Sequence, residues 1–309
     1  MIRTAALVAA LLSLAGAAAA QTASPSAGAE RGACALLAQK YASLSRPNSR
    51  ELNVLLLDAA GNGCVALAGR LLDAGASPRA ANQAGNAPLT LAARAGEEEV
   101  AALLLERGAA IDHRNLDGAT PLLAAITANR KKMAAFLLER GADLTIADDN
   151  GVTPVAAAAF NGDKRTLERL LERGAGPNSV DRSGKSPILY AAGRGFASIV
   201  ERLLEAGVAV NEQYGHGLTA LAWAAGHAND APVDDGVETV ELLLDRGADQ
   251  SIADDRGRTP LMIAAARGHA EIAALLLERG GELARRDRQG KTARDLAANA
   301  AVAQLLAAP

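Results

Sequence analysis

Cysteine is almost missing from this chain. Of 309 residues only Cys34 and Cys64 are cysteines, and without a third thiol no zinc cluster of thiolates can form. Positive charge is not in excess either: 32 Lys and Arg stand against 35 Asp and Glu, for a net charge of −3 and a pI near 5.9. A general nucleic-acid binder needs a basic surface, so nucleic acid is excluded as a partner. Aromatic residues are only 2% of the chain, with one Trp, three Tyr and three Phe. The apolar half is therefore mostly Ala and Leu, which favours helices that pack closely through small side chains. The usual catalytic signatures are also missing: there is no Gly-x-Ser-x-Gly, His-Glu-x-x-His, P-loop or paired-cysteine motif. The expectation is a chain with no catalytic, cofactor-binding or metal-ligating residues.

The first segment stands apart. "MIRTAALVAALLSLAGAAAAQ" carries one positive charge at Arg3, then an apolar run, then alanines ending at Ala20. This is the pattern of a secretory signal peptide over residues 1–20. The run of about 16 apolar residues falls short of the roughly 20 that span a bilayer, so no stable membrane insertion is expected after cleavage. Losing Arg3 takes the net charge from −3 to −4. Residues 21–33 are small and polar and read as a flexible leader. An exported chain would be periplasmic or secreted, and there Cys34 and Cys64 read as a disulfide rather than as two inert buried thiols.

What the chain does have is a period. Gly85, Gly118, Gly151, Gly184, Gly217, Gly257 and Gly290 recur at steps of 33, 33, 33, 33, 40 and 33 residues. A second series, Gly75, Gly108, Gly141, Gly174, Gly207, Gly247 and Gly280, keeps the same steps. Two positions after each glycine of the first series from Gly118 on stands a hydroxyl residue placed to N-cap a helix: Thr120, Thr153, Ser186, Thr219, Thr259 and Thr292. Pro121, Pro154, Pro187 and Pro260 follow at the first helical position. A short apolar helix, a turn and a second helix ending near "LLLERGA" complete each unit. Asn82, Asn115, Asp148, Asp181, Asp254 and Asp287 suit side-chain-stabilised turns. Neither helix can bury its apolar face alone, so the units must stack into a solenoid.

"DNGVTPVAAAAFNGDKRTLERLLERGAGPNSV" and "DRGRTPLMIAAARGHAEIAALLLERGGELARR" resemble ankyrin repeats. The family's His after Thr-Pro-Leu is absent throughout, replaced by Thr90, Leu123, Ala156, Leu189, Ala222 and Met262. The resemblance implies an all-α solenoid of helix–turn–helix units joined by short hairpin loops. A cap helix at 34–48 would precede about eight repeats over 49–309: 49–81, 82–114, 115–147, 148–180, 181–213, 214–253, 254–286 and 287–309. The sixth holds a seven-residue insertion near Ala228 to Asp234, and the last is a half-formed closing unit. A Cys34–Cys64 disulfide would pin the cap helix to the first repeat.

Ankyrin domains bind proteins through hairpin tips and the first-helix face lining a groove, so the resemblance implies a monomeric, non-enzymatic scaffold or adaptor for a protein partner. Phe160, Tyr190, Tyr214 and Trp223 fall on that side in a chain otherwise poor in aromatics. With Arg182, Arg194, His216 and His227 they form the candidate contact surface; the competing reading is that Tyr190 and Trp223 only pack between repeats. His269, in "RGH", reads as structural, His113 as solvated, and the "LLERG" motifs as solvated helix ends. Arg256, Arg258, Arg286, Arg288 and Lys291 make the C-terminal tips basic, which suits either solvent or an acidic partner patch. The insertion reads as a tolerated loop or a partner contact; Asp230, Asp234 and Asp235 lack the ligand alternation of a calcium loop. Two alternatives stay open: a secreted effector acting on a host or competitor protein, and an enzyme with a site around His216, His227 and the Asp-rich insert.

Overall fold

The computed structural model describes residues 27–226 and 233–307, and among them the regular structure is helical. Helix α1 (Ala27–Ala42) is followed by seven helix pairs. These are α2 (Ser49–Gly61) with α3 (Val65–Asp73), α4 (Pro88–Ala95) with α5 (Glu98–Glu106), and α6 (Pro121–Thr127) with α7 (Lys131–Glu139). Next come α8 (Pro154–Phe160) with α9 (Lys164–Glu172), and α10 (Pro187–Gly193) with α11 (Ala197–Glu205). Then follow α12 (Ala220–Ala225) with α13 (Val233–Asp245), α14 (Pro260–Arg267) with α15 (Ala270–Glu278), and a lone α16 (Ala300–Leu305). In the closing unit Ala293–Leu296 forms only turns where a first helix would stand.

The sequence signals act locally as chemistry requires. Thr120, Thr153, Thr219 and Thr259 each accept a hydrogen bond from the backbone N–H three residues on, at 3.1–3.4 Å. Ser186 makes no such cap bond. Asn82, Asn115, Asp148, Asp181, Asp254 and Asp287 each accept from the amides two and four residues on, closing the hairpins. The glycines of both series lie in the left-handed region, Gly141 at φ 84° and Gly151 at φ 82° for example. Thr120 is fully buried, so Thr120→Ala leaves the Leu123 amide without its acceptor. The expected loss is about 1 kcal/mol, read as a lower urea midpoint at unchanged slope.

Stacking is fixed by links that repeat along the array. Neighbouring hairpin tips join by backbone bonds: Leu116 N–H to Ala84 O, Asp149 to Asp117, Arg182 to Asn150, Gly215 to Gly184, Asp255 to His216 and Arg288 to Arg256, at 2.8–3.1 Å. The core is continuous, from Leu52 and Leu55 in α2 through Leu137 and Leu170 to Leu276, Val302 and Leu306. The arginines that precede the closing glycines are exposed at the helix ends, as expected, and also link units. Arg107 pairs with Asp73 (2.7 Å), Arg246 with Glu201, Arg279 with Asp245, and Arg173 donates to the Leu138 carbonyl. His113 is likewise engaged rather than solvated, its Nε2 lying 2.8 Å from the Gly85 carbonyl oxygen. His269 Nδ1 lies 3.1 Å from the Ala225 carbonyl oxygen, the structural role expected of it.

Two boundaries differ from expectation. The cap helix runs from Ala27 to Ala42, taking in much of the leader, because "AGAERGACALLAQKYA" is rich in the best helix former. It stops before Pro47, which disfavours helix in the residue ahead of it, and Asn48 caps α2 instead. Part of the seven-residue excess lengthens α13, which has 13 residues where α11 and α15 have nine. Residues 227–232, and with them His227 and most of the insertion, lie outside the described residues, as do residues 1–26.

Candidate interaction face

The first helices present two positions per unit to the same face. The position three after the proline site carries Leu91, Ala124, Ala157, Tyr190, Trp223 and Ile263. One turn later stand Arg94, Thr127, Phe160, Gly193, Gly226 and Ala266. The second position of one unit touches the first position of the next. Phe160 meets Tyr190 edge to face, with ring centroids 5.6 Å apart. Gly193 lies directly against Trp223, so close that an added Cβ would come within 2.2 Å of the indole Nε1. Gly226 lies against Ile263, with 3.2 Å for the same imagined atom. Large residues at 190 and 223 are thus admitted differently: Tyr190 by a favourable aromatic pair, Trp223 by a glycine notch.

Cations interleave with these rings. The Arg194 guanidinium carbon lies 4.8 Å from the Phe160 centroid and 5.6 Å from that of Phe196. Lys185 Nζ lies 5.5 Å from the Tyr190 ring and 5.6 Å from the Trp223 ring. Phe160 keeps 40% of its surface exposed, Tyr190, Trp223, Lys185 and Arg194 are half-buried, and Arg182 is exposed at the adjoining tip.

Asp181 organises this cluster from beneath. Its Oδ1 accepts from the Ser183 amide, the Ser183 hydroxyl and the Lys185 amide, and its Oδ2 accepts from the Tyr190 hydroxyl. Burial pushes its carboxyl upward, but those hydrogen bonds outweigh burial and hold it below the usual carboxylate range. Burial, then the bond to Asp181 and its charge, push the Tyr190 hydroxyl well above its ordinary value. Tyr190 is therefore a neutral donor whose ring is held in place on a carboxylate that is already fully used.

Tyr214 departs from the expected role. It stands where the other hairpins have Asn or Asp, it is only 8% exposed, and its hydroxyl donates to Asn178 Oδ1 at 2.5 Å. It is a packing residue with no ring face left for a partner. Lacking the Asx side chain, its hairpin closes through a short 3₁₀ turn at Gly215–Gly217 with His216 at φ 63°. His216 is exposed at that tip. The structure thus unites Phe160, Tyr190, Trp223, Arg194 and the neighbouring Arg182, leaves His216 at the next tip, removes Tyr214 and does not describe His227. It adds Lys185, Phe196, Asp181 and Gly193. Of these, Gly193 carried a readable signal, because glycine breaks the series Arg94, Thr127, Phe160.

Among the described residues no three His, Cys, Asp or Glu side chains converge as a metal site would require. No helix among them is long and apolar enough to cross a membrane. A family model for ankyrin repeats matches in three copies, over residues 56–148, 155–233 and 233–309. The chain belongs to the ankyrin-repeat family. Ankyrin repeats generally mediate protein–protein interaction and are typically non-enzymatic. No individual curated protein matches this ankyrin chain.

Proposed function

We propose that this chain is an exported, monomeric adaptor that holds a protein partner across the first helices of its fourth to sixth ankyrin units. The observation that carries the reading is the aromatic–cationic cluster of Phe160, Tyr190, Trp223, Lys185 and Arg194, in which Phe160 is 40% exposed and the others are half-buried. Four of the seven aromatic residues of the whole chain, counting Phe196, stand in or beneath this cluster. Rings and arginines held rigidly before binding lose little entropy when a partner arrives, which is how such residues become anchors. Export is supported by the basic, apolar and Ala-rich segment at residues 1–20 and by the Cys34–Cys64 disulfide, a bond that persists in oxidising compartments.

The test is photo-crosslinking in the producing cell, with a photoreactive phenylalanine at Phe160 or Trp223 and, as control, at Arg165 on the outer helix α9. Capture of one protein from both face positions and not from Arg165 is the expected result; capture of nothing above background at either position sinks the reading. Phe160→Ala or Trp223→Ala is expected to weaken the complex at least about tenfold, the scale of an anchor residue. Retention of the captured complex in the periplasm against its release to the medium separates an adaptor from a secreted effector.

A further inference from the structure

Nine cations of the described residues are held in ion pairs: Arg107, Arg114, Lys131, Lys164, Arg202, Arg246, Arg258, Arg279 and Arg285. Even the basic C-terminal tips are partly used, since Arg258 binds Asp254 at 2.7 Å and Arg286 donates to the Gly290 carbonyl at 2.7 Å. Other cations lack an ion pair as well, but the fifth unit sets two of its own against aromatic rings. Arg182, Lys185 and Arg194 make no ion pair with any carboxylate of the described residues, although two of them are held between aromatic rings. The carboxylate nearest in sequence, Asp181, is spent on Ser183, Lys185 N–H and Tyr190. Arg194 Nε is buried and has no acceptor among the described residues, while the side chain as a whole is only half-buried, so what it offers to solvent is the rest of its donor set.

Stacking fixes the plane of a guanidinium, and a fixed fork with no partner matches the two oxygens of a carboxylate. The Lys185 ammonium, set between two rings, is a second positive point, and Arg182 at the tip is a third. Three cations in a run of thirteen residues (182–194) stand against the single ionised carboxylate of Asp181, so the patch keeps a positive balance that attracts negative charge on a molecule whose net charge is −3. Phe160, 40% exposed beside Arg194, adds an apolar seat.

We infer that the partner presented to this face is an acidic, unstructured protein segment: one carboxylate docks on Arg194, others lie along Lys185 and Arg182, and an adjacent apolar side chain rests on Phe160. This rests on the protein-binding reading above and specifies its chemistry. Aromatic rings alternating with cations also suit single-stranded nucleic acid. The excess of acidic residues in the chain weighs against that occupant, and the experiment below separates the two.

The probes are a fluorescein-labelled synthetic peptide alternating Glu with Leu, its counterpart with Gln for Glu, and a labelled oligothymidylate. Binding is followed by anisotropy and by the emission of Trp223, the only tryptophan. The expected result is saturable binding of the Glu peptide that perturbs Trp223 emission and weakens steeply with salt. Arg194→Gln and Lys185→Gln are expected to lower the affinity at least about tenfold, whereas Arg165→Gln on the outer helix changes it less than about twofold. Preference for the Gln peptide or for oligothymidylate overturns the inference, as does an equal effect of Arg165→Gln or no saturable binding of the Glu peptide. The crosslinking experiment keeps the two levels apart. A partner captured at Phe160 through a segment without Asp or Glu refutes the acidic chemistry and leaves the adaptor reading standing; absence of any captured partner removes both.

Discussion

Gly193→Ala is expected to destabilise the protein by about 1–3 kcal/mol and to unseat Trp223, while the same substitution at Gly69 is expected to be neutral or stabilising by up to about 1 kcal/mol. Both glycines are helical, and alanine is the better helix former, so propensity alone predicts a gain at each. The surroundings decide otherwise. At Gly69 the new Cβ meets only Leu103 Cδ2 at 3.9 Å, an ordinary contact. At Gly193 it would lie 2.2 Å from Trp223 Nε1 and 2.4 Å from Cδ1, distances no Cβ tolerates, and the obstacle is a bulky ring already wedged between units. The indole must therefore swing out. Because Trp223 is the only tryptophan, its emission reports the displacement directly, alongside the fall in the denaturant midpoint. Loss of the indole from its seat also breaks its contact with Lys185, so probe affinity falls even where the fold survives. Adding Trp223→Leu to Gly193→Ala is expected to restore most of the stability and none of the binding. Unchanged emission in Gly193→Ala, or equal effects at Gly69 and Gly193, would show that the notch does not position the ring.

The periodic part of this molecule is legible because each of its signals acts within a few residues. Thr120, Thr153, Thr219 and Thr259 cap the helix that begins beside them, and each Asx residue closes its own hairpin. Such signals do not depend on what lies a repeat away. The proposed binding face is different in kind. Phe160 with Tyr190, Gly193 with Trp223, and Lys185 with both rings are contacts across 30 or more residues, or depend on side-chain rotamers, and no periodic marker encodes them. Tyr214 shows the failure most plainly. Read as one more aromatic on the correct side, it turns out to be the residue that replaces the Asx turn of its unit and is buried for that reason. Its replacement of an Asn or Asp was visible at the expected step, and that departure was the better clue. The arginines that close the second helices are solvated, as expected, but their links to the preceding unit were not legible for a related cause. The partners of Arg107, Arg246 and Arg279, namely Asp73, Glu201 and Asp245, sit on the preceding unit at about one repeat's distance in sequence.

Removing the Cys34–Cys64 disulfide is expected to release α1 at a cost of about 3–4 kcal/mol, from the entropy of a 30-residue loop, without disturbing the binding face. The bond joins the middle of α1 to the residue capping α3, so it closes a loop that contains α2. Little else holds α1. Cys34, Leu37, Tyr41 and Leu44 are only partly buried against the core, Leu36 is 67% exposed, and Arg70 over the Tyr41 ring at 5.1 Å adds a surface contact. A helix of 16 residues with so narrow a buried stripe does not persist once detached. α1 packs on α2 and α3, so the apolar side chains those helices turn toward it lose part of their cover. In a stacked array each unit contacts only its neighbours, so the loss stays at that end. Hydrogen exchange of the double serine variant, Cys34→Ser with Cys64→Ser, is therefore expected to show full loss of protection over α1, partial loss over α2 and α3, and native protection from α8 to α12. Trp223 emission and binding of the acidic peptide are expected to match those of the parent. A uniform loss of protection would mean that the array unfolds as one unit and that α1 governs all of it. Unchanged protection over α1 would mean that its side-chain contacts suffice and the covalent bond adds nothing. The predicted result lies between these: a covalently fastened lid on an apolar edge, with the proposed binding face some four units away and indifferent to it.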